Sequence, residues 1–295
     1  MKSASRVLVA MDLTDMDNRL LNSLHYFSDL LAVRKAYFLH VMPDFRLPKD
    51  VDVEFHRLFS TEYPVDEKVK DKIALDLAEV FGDEIPFESQ VDVREGRPLN
   101  KLLHWLDVKE INWLVVGHKR DSEGSGITAR RVARHSKCNV LFVPDQPSQK
   151  IRNILIPVDF SENSARAIRR ACAFKRIDEN INIQCLYVID LPPNDYYLRP
   201  VPRSGFQAVL RDSAKEAYKN FLRRFELQDI PMEMNYAENT YTNISSHIHE
   251  FAQKQNVDAI IMGAQGHSPF GSFVFGSVTE RLVERTDDVP VLVVR

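Results

Sequence analysis

Cysteine is scarce in this sequence. Its 295 residues contain three, Cys138, Cys172 and Cys185. The number is odd and no CxxC or metal-ligand spacing links them, which argues against a disulfide framework or a structural zinc site and for reduced thiols in a cytoplasmic protein. A charge excess is also missing. Lys and Arg total 39 against 42 Asp and Glu, a formal net charge of −3, so electrostatics gives no pull toward nucleic acid or an anionic membrane. Long apolar runs are absent too. No stretch approaches the roughly 18–20 residues that span a bilayer, and the segment from Val7 to Met11 is too short for a signal-peptide core before charged Asp12 ends it. These absences predict a cytoplasmic protein with no membrane and no nucleic-acid partner. What is present is an ordinary globular composition, 44% hydrophobic and 27% charged, in a chain long enough for two domains of roughly 150 residues.

The chain repeats itself. VLVAMDLTDMDN opens at Val7 and ILIPVDFSENSA at Ile154, so that Asp159 follows Asp12 by 147 residues. Each is a short apolar run rich in β-branched residues, ending in Asp, a polar turn and a helical pattern, which reads as strand, turn, helix. The match continues through Phe38–Met42 with Cys185–Ile189, Trp113–Gly117 with Ala259–Gly263, and Val140–Val143 with Val291–Val294. Amphipathic segments lie between them. One carries Val65, Val69, Ile73, Leu77 and Val80; its counterpart carries Val209, Leu210, Ala214, Ala217, Phe221, Leu222 and Phe225. Spacings of three and four turn one apolar face toward a core. Nearly continuous apolar strands alternating with helices predict two α/β domains, residues 1–146 and 150–295, each a doubly wound, five-stranded parallel sheet. The polar, proline-containing stretch 145–149 is the expected linker. Two longer insertions, residues 43–63 and 190–206, follow the second strand of each half. The second holds Pro192, Pro193, Tyr196, Tyr197, Pro200 and Pro202, and is either a rigid surface connection or a lid.

The most informative stretch is DAIIMGAQGHSPFGSFVFGSVTERLV from Asp258. A strand ends at Gly263, Gly266 follows, and after nine residues Gly276-Ser277 opens a helix. Glycine allows positive φ and close approach of phosphate oxygens. A helix start offers free N–H groups and the positive end of its dipole to an anion. The hydroxyls of Ser277 and Thr279 add donors. Among the histidines, His267 is placed either to touch a phosphate or as a plain turn residue. His247 and His249 are two apart, so on a helix they diverge rather than share a metal. His104, beside Trp105, reads as partly buried and structural. Glu280, one turn into the helix, offsets its dipole. No Ser/His/Asp or paired-carboxylate arrangement stands out.

This pattern of G-x-x-G, nine residues and Gly-Ser, together with IPVDFSENS and GSVTERLV, resembles the universal stress protein family, and the resemblance covers the whole chain twice. It implies an adenine-nucleotide α-hydrolase-like sheet in the order 3-2-1-4-5 and an ATP-binding regulatory module acting in stress response. It places Pro157, Val158 and Asp159 against adenine and ribose, Val188 where a backbone group reads the adenine edge, and Met262 among the nucleotide-binding residues. Gly263, Gly266 and His267 fall by the ribose and phosphates, and Gly276, Ser277, Val278 and Thr279 at the phosphate-gripping helix start. ATP with Mg or Mn is the implied ligand, with no metal held by the protein alone. The first half departs from the pattern: Gly117 and Asp12 remain, but Arg120 stands where the second glycine belongs, the loop is shorter by about five residues, and Ser125-Gly126 replaces Gly-Ser. No normal ATP binding is expected there. His118, Arg120, Arg130 and Arg131 either hold another anion or form a solvated face.

Neither the HxGH nor the SGGxDS motif of related enzymes occurs, so catalysis beyond slow ATP hydrolysis is not expected. The alternatives are a slow ATPase or a binder of another ligand, such as a lipid or sugar nucleotide. By the same resemblance each half ends in an edge strand. The expectation is that the two final strands pair into an intramolecular pseudo-dimer through Leu141, Val143, Leu292 and Val294, with a homodimer as a further option.

Overall fold

The structure, a computed structural model, describes residues 5–42, 65–82, 84–118, 125–146, 150–191, 203–239, 243–266 and 275–295. Two compact units divide the chain, Met1–Pro147 and Ser148–Arg295.

In the first unit, β1 (Ser5–Met11), α1 (Met16–Leu30), β2 (Val33–Met42), α2 (Val65–Phe81), β3 (Glu88–Glu95), α3 (Pro98–Val108), β4 (Trp113–Gly117), α4 (Ser125–His135) and β5 (Asn139–Val143) follow in order. The strands lie side by side as β3-β2-β1-β4-β5, all parallel. The second unit runs β6 (Asn153–Pro157), α5 (Glu162–Lys175), β7 (Asn182–Asp190), α6 (Arg203–Phe225), β8 (Glu233–Asn239), α7 (Ile244–Lys254), β9 (Ala259–Gly263), α8 (Ser277–Arg285) and β10 (Val291–Val294). Its order, β8-β7-β6-β9-β10, is the same 3-2-1-4-5 topology, again parallel.

The central strands are sealed on both faces. Val7, Leu8 and Val9 of β1, like Ile154, Leu155 and Ile156 of β6, are wholly buried, as continuous apolar strands flanked by helices must be. Helix α5 covers β6 and β9 with Ala165, Ile168, Ala171 and Phe174, each fully buried. The two alanines let its axis approach the sheet. Ile73, Leu77 and Phe81 give α2 its inner stripe. In α6 the expected stripe is narrower: Ala214 and Phe221 are buried, but Val209 and Ala217 are exposed. Tyr218 faces inward instead, 6.2 Å from the ring of Phe160. His104, expected to be partly buried, is exposed, while Leu102, Trp105 and Leu106 supply the buried face of α3.

Both copies make the same turn after the first strand. Leu13 and Phe160, each following the aspartate, take left-handed backbone with φ of 61° and 66°. The chain thereby reverses into the helix while the aspartate stays at the strand tip. The three cysteines form no disulfide with one another, and burial pushes the Cys185 thiol up to about 12, which keeps it a neutral core group.

Candidate functional site

A parallel sheet places its strand tips, turns and helix starts together at one edge, and ligands sit where the strand order switches direction. In the second unit that switch falls between β6 and β9, and a cavity of about 370 Å³ opens there. This volume lies within the usual range of small-molecule sites.

The floor is the tip of β6. Pro157, Val158 and Asp159 line the cavity. The backbone N–H of Val158 donates to the Leu186 carbonyl of β7 at 2.9 Å, which extends the ladder one residue past the strand. Asp159 is held on its own helix. Its Oδ1 accepts from Ser161 N at 3.0 Å and from Ser164 Oγ at 2.6 Å, while the Asp159 N–H donates back to Ser164 Oγ at 3.0 Å. Ser161 caps α5 by accepting from Ser164 N. Phe160, turned away by its positive φ, stacks on Tyr187 with centroids 4.5 Å apart.

One end of the cavity is the β9–α8 turn, with Met262, Gly263, Gln265, Gly266, Gly276, Ser277, Val278 and Thr279 on its wall. The glycines there serve space, not unusual torsion. Contrary to expectation, none of the three has a positive φ; among the described glycines only Gly82 and Gly96 do. A Cβ on Gly263 would lie 2.6 Å from Asn163 Cβ, and one on Gly266 would lie 2.4 Å from Asp159 Oδ2. Gly276 differs. It has φ −66° and ψ 154°, and a Cβ there would meet nothing nearer than 3.5 Å.

Gly276 is the N-cap of α8 and offers no side-chain cap, so among the described residues no serine or aspartate side chain caps the first turn, whose residues line the cavity end. Its own N–H donates to the Ala264 carbonyl at 2.8 Å, which closes the turn. Thr279 behaves differently from the sequence expectation: its hydroxyl donates to the Gly263 carbonyl at 3.1 Å and ties α8 to the β9 tip, so that proton is committed within the protein. Glu280 lies in the first turn of α8, as expected for a dipole partner.

The opposite end is apolar above and polar at the rim. Val188 of β7 and Ile244 and Ile248 of α7 line it, with Tyr187 and Asp190. Burial first, and then the charges of Asp159 and Asp190, hold the Tyr187 hydroxyl above its ordinary range, so it stays neutral.

Every residue expected at the site lines this cavity except His267, which lies outside the described residues, as do Arg120, residues 43–63, the linker residues 147–149 and residues 192–202 of the proline-rich insertion. Ser164, Leu186, Tyr187, Asp190, Ile244, Ile248 and Gln265 were not anticipated. Ile244 and Ile248 read as ordinary core spacing, whereas Asp190, at the carboxyl tip of a strand, carried a usable signal. In the first unit His118 is buried. Its backbone N–H donates to the Val143 carbonyl at 2.7 Å and its ring stands edge-on to Phe142, so it belongs to the packing rather than to a solvated cationic face.

The model of the universal stress protein family matches residues 4–144 and again residues 150–295. Two universal stress proteins of Methanocaldococcus jannaschii each align with about half of the chain. One is 28% identical over 148 residues, 49% of this chain and 82% of its own length. The other is 29% identical over 157 residues, 49% of this chain and 94% of its own. Among solved structures, a universal stress protein from Archaeoglobus fulgidus aligns over 99% of this chain and 96% of its own, with a TM-score of 0.63 and 16% identity, a likeness of fold alone.

Proposed function

We propose that this chain, which belongs to the universal stress protein family through both of its halves, is an ATP-binding regulatory module of a stress response whose second domain holds the nucleotide. The observation that carries this reading is the combination, in one cavity at the strand switch point, of an apolar slot, an anchored carboxylate and an uncapped helix start. In this reading adenine lies among Val188, Ile248 and Met262, the ribose hydroxyls donate to Asp159, and the phosphates meet the N–H groups of α8. A well-formed N–H bond to a phosphate contributes roughly 1.5–3 kcal/mol. A few of these with a buried base are enough for a Kd of about a micromolar. His267 is proposed to stand beside the phosphates.

Mg or Mn is proposed to travel with the phosphates. Among the described residues no group of three or more His, Cys, Asp or Glu is placed to hold a metal, so phosphate oxygens and water supply most ligands, as is usual for Mg. The first domain, with Arg120 in place of the second glycine, is proposed not to take ATP. Binding rather than turnover follows from the lack of a nucleophile–base motif, and three cysteines that form no disulfide suit a reducing cytoplasm. Pairing of the two final strands, or of two chains, remains part of the proposal, and solution scattering of a Leu292→Asp variant tests it.

Calorimetric titration of the full chain with ATP and Mg, beside an Asp159→Ala variant, tests the central claim. One site per chain, lost in the variant, is expected. Two equal sites would reassign the first domain, and no heat would remove the reading. Phosphate or AMP release separates a slow ATPase, and mass spectrometry of the purified protein detects a lipid or sugar nucleotide in the same slot.

A further inference from the structure

A hydrogen-bonded chain stands at the apolar end of the cavity. Asp190 is the last residue of β7, two positions beyond Val188 and on the same face, and it lines the cavity. Its Oδ1 accepts from Asn239 Nδ2 at 2.8 Å. Asn239, at the tip of β8 and 6% exposed, is paired with it in register. The Asn239 Oδ1 in turn is 3.1 Å from His247 Nε2 on α7. Because the amide nitrogen is spent on Asp190, its oxygen must accept, and His247 therefore carries its proton on Nε2. Two elements thus fix one carboxylate. No hydrogen bond to its second oxygen is present among the described residues.

A carboxylate at neutral pH is an acceptor only and repels phosphate. β7 stands two strands from β9, roughly 10 Å at about 4.8 Å per strand. That is the separation a nucleoside sets between its base edge and its 5′-phosphate. The anionic end of a ligand therefore belongs at α8, and its N–H-donating end belongs at Asp190. Oδ1 is held by Asn239, and Oδ2, which takes no hydrogen bond from the described residues, is the acceptor offered to an exocyclic amine.

Resting on the ATP reading above, we propose that Asp190 is a specificity-determining residue that accepts a hydrogen bond from the 6-amino group of a purine, and that Asn239 and His247 are positioning residues that hold its carboxylate toward the base.

The test measures affinities of the full chain for MgATP, for purine riboside triphosphate, which lacks the 6-amino group, and for GTP. The unaltered chain is expected to prefer ATP over each by about tenfold or more, since a hydrogen bond to a charged group is worth roughly that factor. In Asp190→Ala the preference over the amine-free analogue should fall to within about threefold while the analogue itself still binds. Asn239→Ala should shrink the same ratio with little change in analogue affinity, which a merely structural role would not produce. Thermal melting checks that each variant is folded, and Asp190→Asn serves if Asp190→Ala is not. An unchanged ratio in the Asp190 variants, or equal affinity of the unaltered chain for ATP and the analogue, overturns this proposal and leaves ATP binding standing. Tighter binding of GTP also overturns it. Failure of the unaltered chain to bind any of the three overturns both readings.

Discussion

Replacing Asp17 by serine should stabilise the first domain at neutral pH and remove a pH dependence from it. Asp17 occupies in the first copy the position that Ser164 holds in the second, 147 residues later. Where Ser164 accepts one N–H from the strand-tip aspartate, Asp17 accepts two, from Asp12 N at 3.0 Å and Leu13 N at 2.8 Å. It does so at 2% exposure. Burial lifts its carboxyl from 3.8 to about 6; the nearby Asp12 charge adds to this, and the two backbone N–H groups oppose it. A raised acid pKa means that the folded state binds the proton more tightly than the unfolded chain. The contribution is therefore fully present below pH 3.8 and is lost as pH rises through about 6. Between pH 7.5 and 4.5 that linkage amounts to about 2 kcal/mol gained on acidification, and about 3 kcal/mol over the whole range.

Serine removes the linkage and keeps one acceptor. The N–H it releases belongs to Leu13, which is 39% exposed, so water replaces the lost bond at little cost. Asp17→Ser should therefore be more stable than the parent by about 1–3 kcal/mol at pH 7.5, and the gap should close by about 2 kcal/mol at pH 4.5. The chain is suited to this measurement because its two tryptophans, Trp105 and Trp113, both lie in the first domain and both are buried. Urea unfolding followed by tryptophan fluorescence thus reports that domain. Carboxylates remote from Asp17 contribute alike to both proteins, so the difference curve is the readout. Parallel stability–pH curves for parent and variant would refute the reasoning.

Gly263→Ala forces a Cβ to 2.6 Å from Asn163 Cβ and 2.9 Å from its backbone carbon, and should cost the second domain roughly 1–3 kcal/mol, read by scanning calorimetry. Gly276→Val should do the opposite: its φ of −66° suits a β-branched residue, so thermal stability holds while ATP affinity falls at least tenfold in calorimetric titration. Thr279→Val removes the bond to the Gly263 carbonyl and should lower stability by about 1 kcal/mol with a smaller loss of affinity than Gly276→Val.

The strands that the sequence made legible are those covered on both faces. β1, β4, β6 and β9 read as unbroken apolar runs because helices pack above and below them. β3 and β8 stayed unlocated because ESQVDVRE and EMNYAEN lie at the outer side of each unit's β2 or β7 and keep almost all their side chains exposed or half-exposed, where polar residues cost little. Helix α6 misled for a related reason. Its apolar residues outnumber the positions the sheet can cover, and Val209 is left 61% exposed. At the site, backbone-defined positions such as Gly263, Gly276 and Asp159 were readable from spacing, since turns and helix starts leave sequence marks. Side chains reaching in from a neighbouring element, such as Ile248 and Tyr187, leave none, because their pattern is that of any core residue.

The two copies also separate what a glycine does for the fold from what it does for a ligand. Gly117 and Gly263 end equivalent strands, and in both a Cβ would collide with the start of the unit's first helix: Met16 Cγ of α1 at 2.5 Å in the first copy, Asn163 Cβ of α5 at 2.6 Å in the second. Met16 and Asn163 are themselves equivalent, 147 residues apart. The first copy thus keeps its strand-end glycine although the rest of the loop has changed, because helix packing demands it. A glycine at that place says nothing about phosphate. Gly266 approaches the Asp159 carboxylate, and its place in the first copy is taken by Arg120. Gly276, in ordinary backbone conformation, would place a Cβ no nearer than 3.5 Å to any atom of the described residues, and the first copy has lost the Gly-Ser pair it begins. A missing side chain that the fold itself does not need, at the uncapped start of a helix, is the position where a ligand's close approach accounts for glycine best.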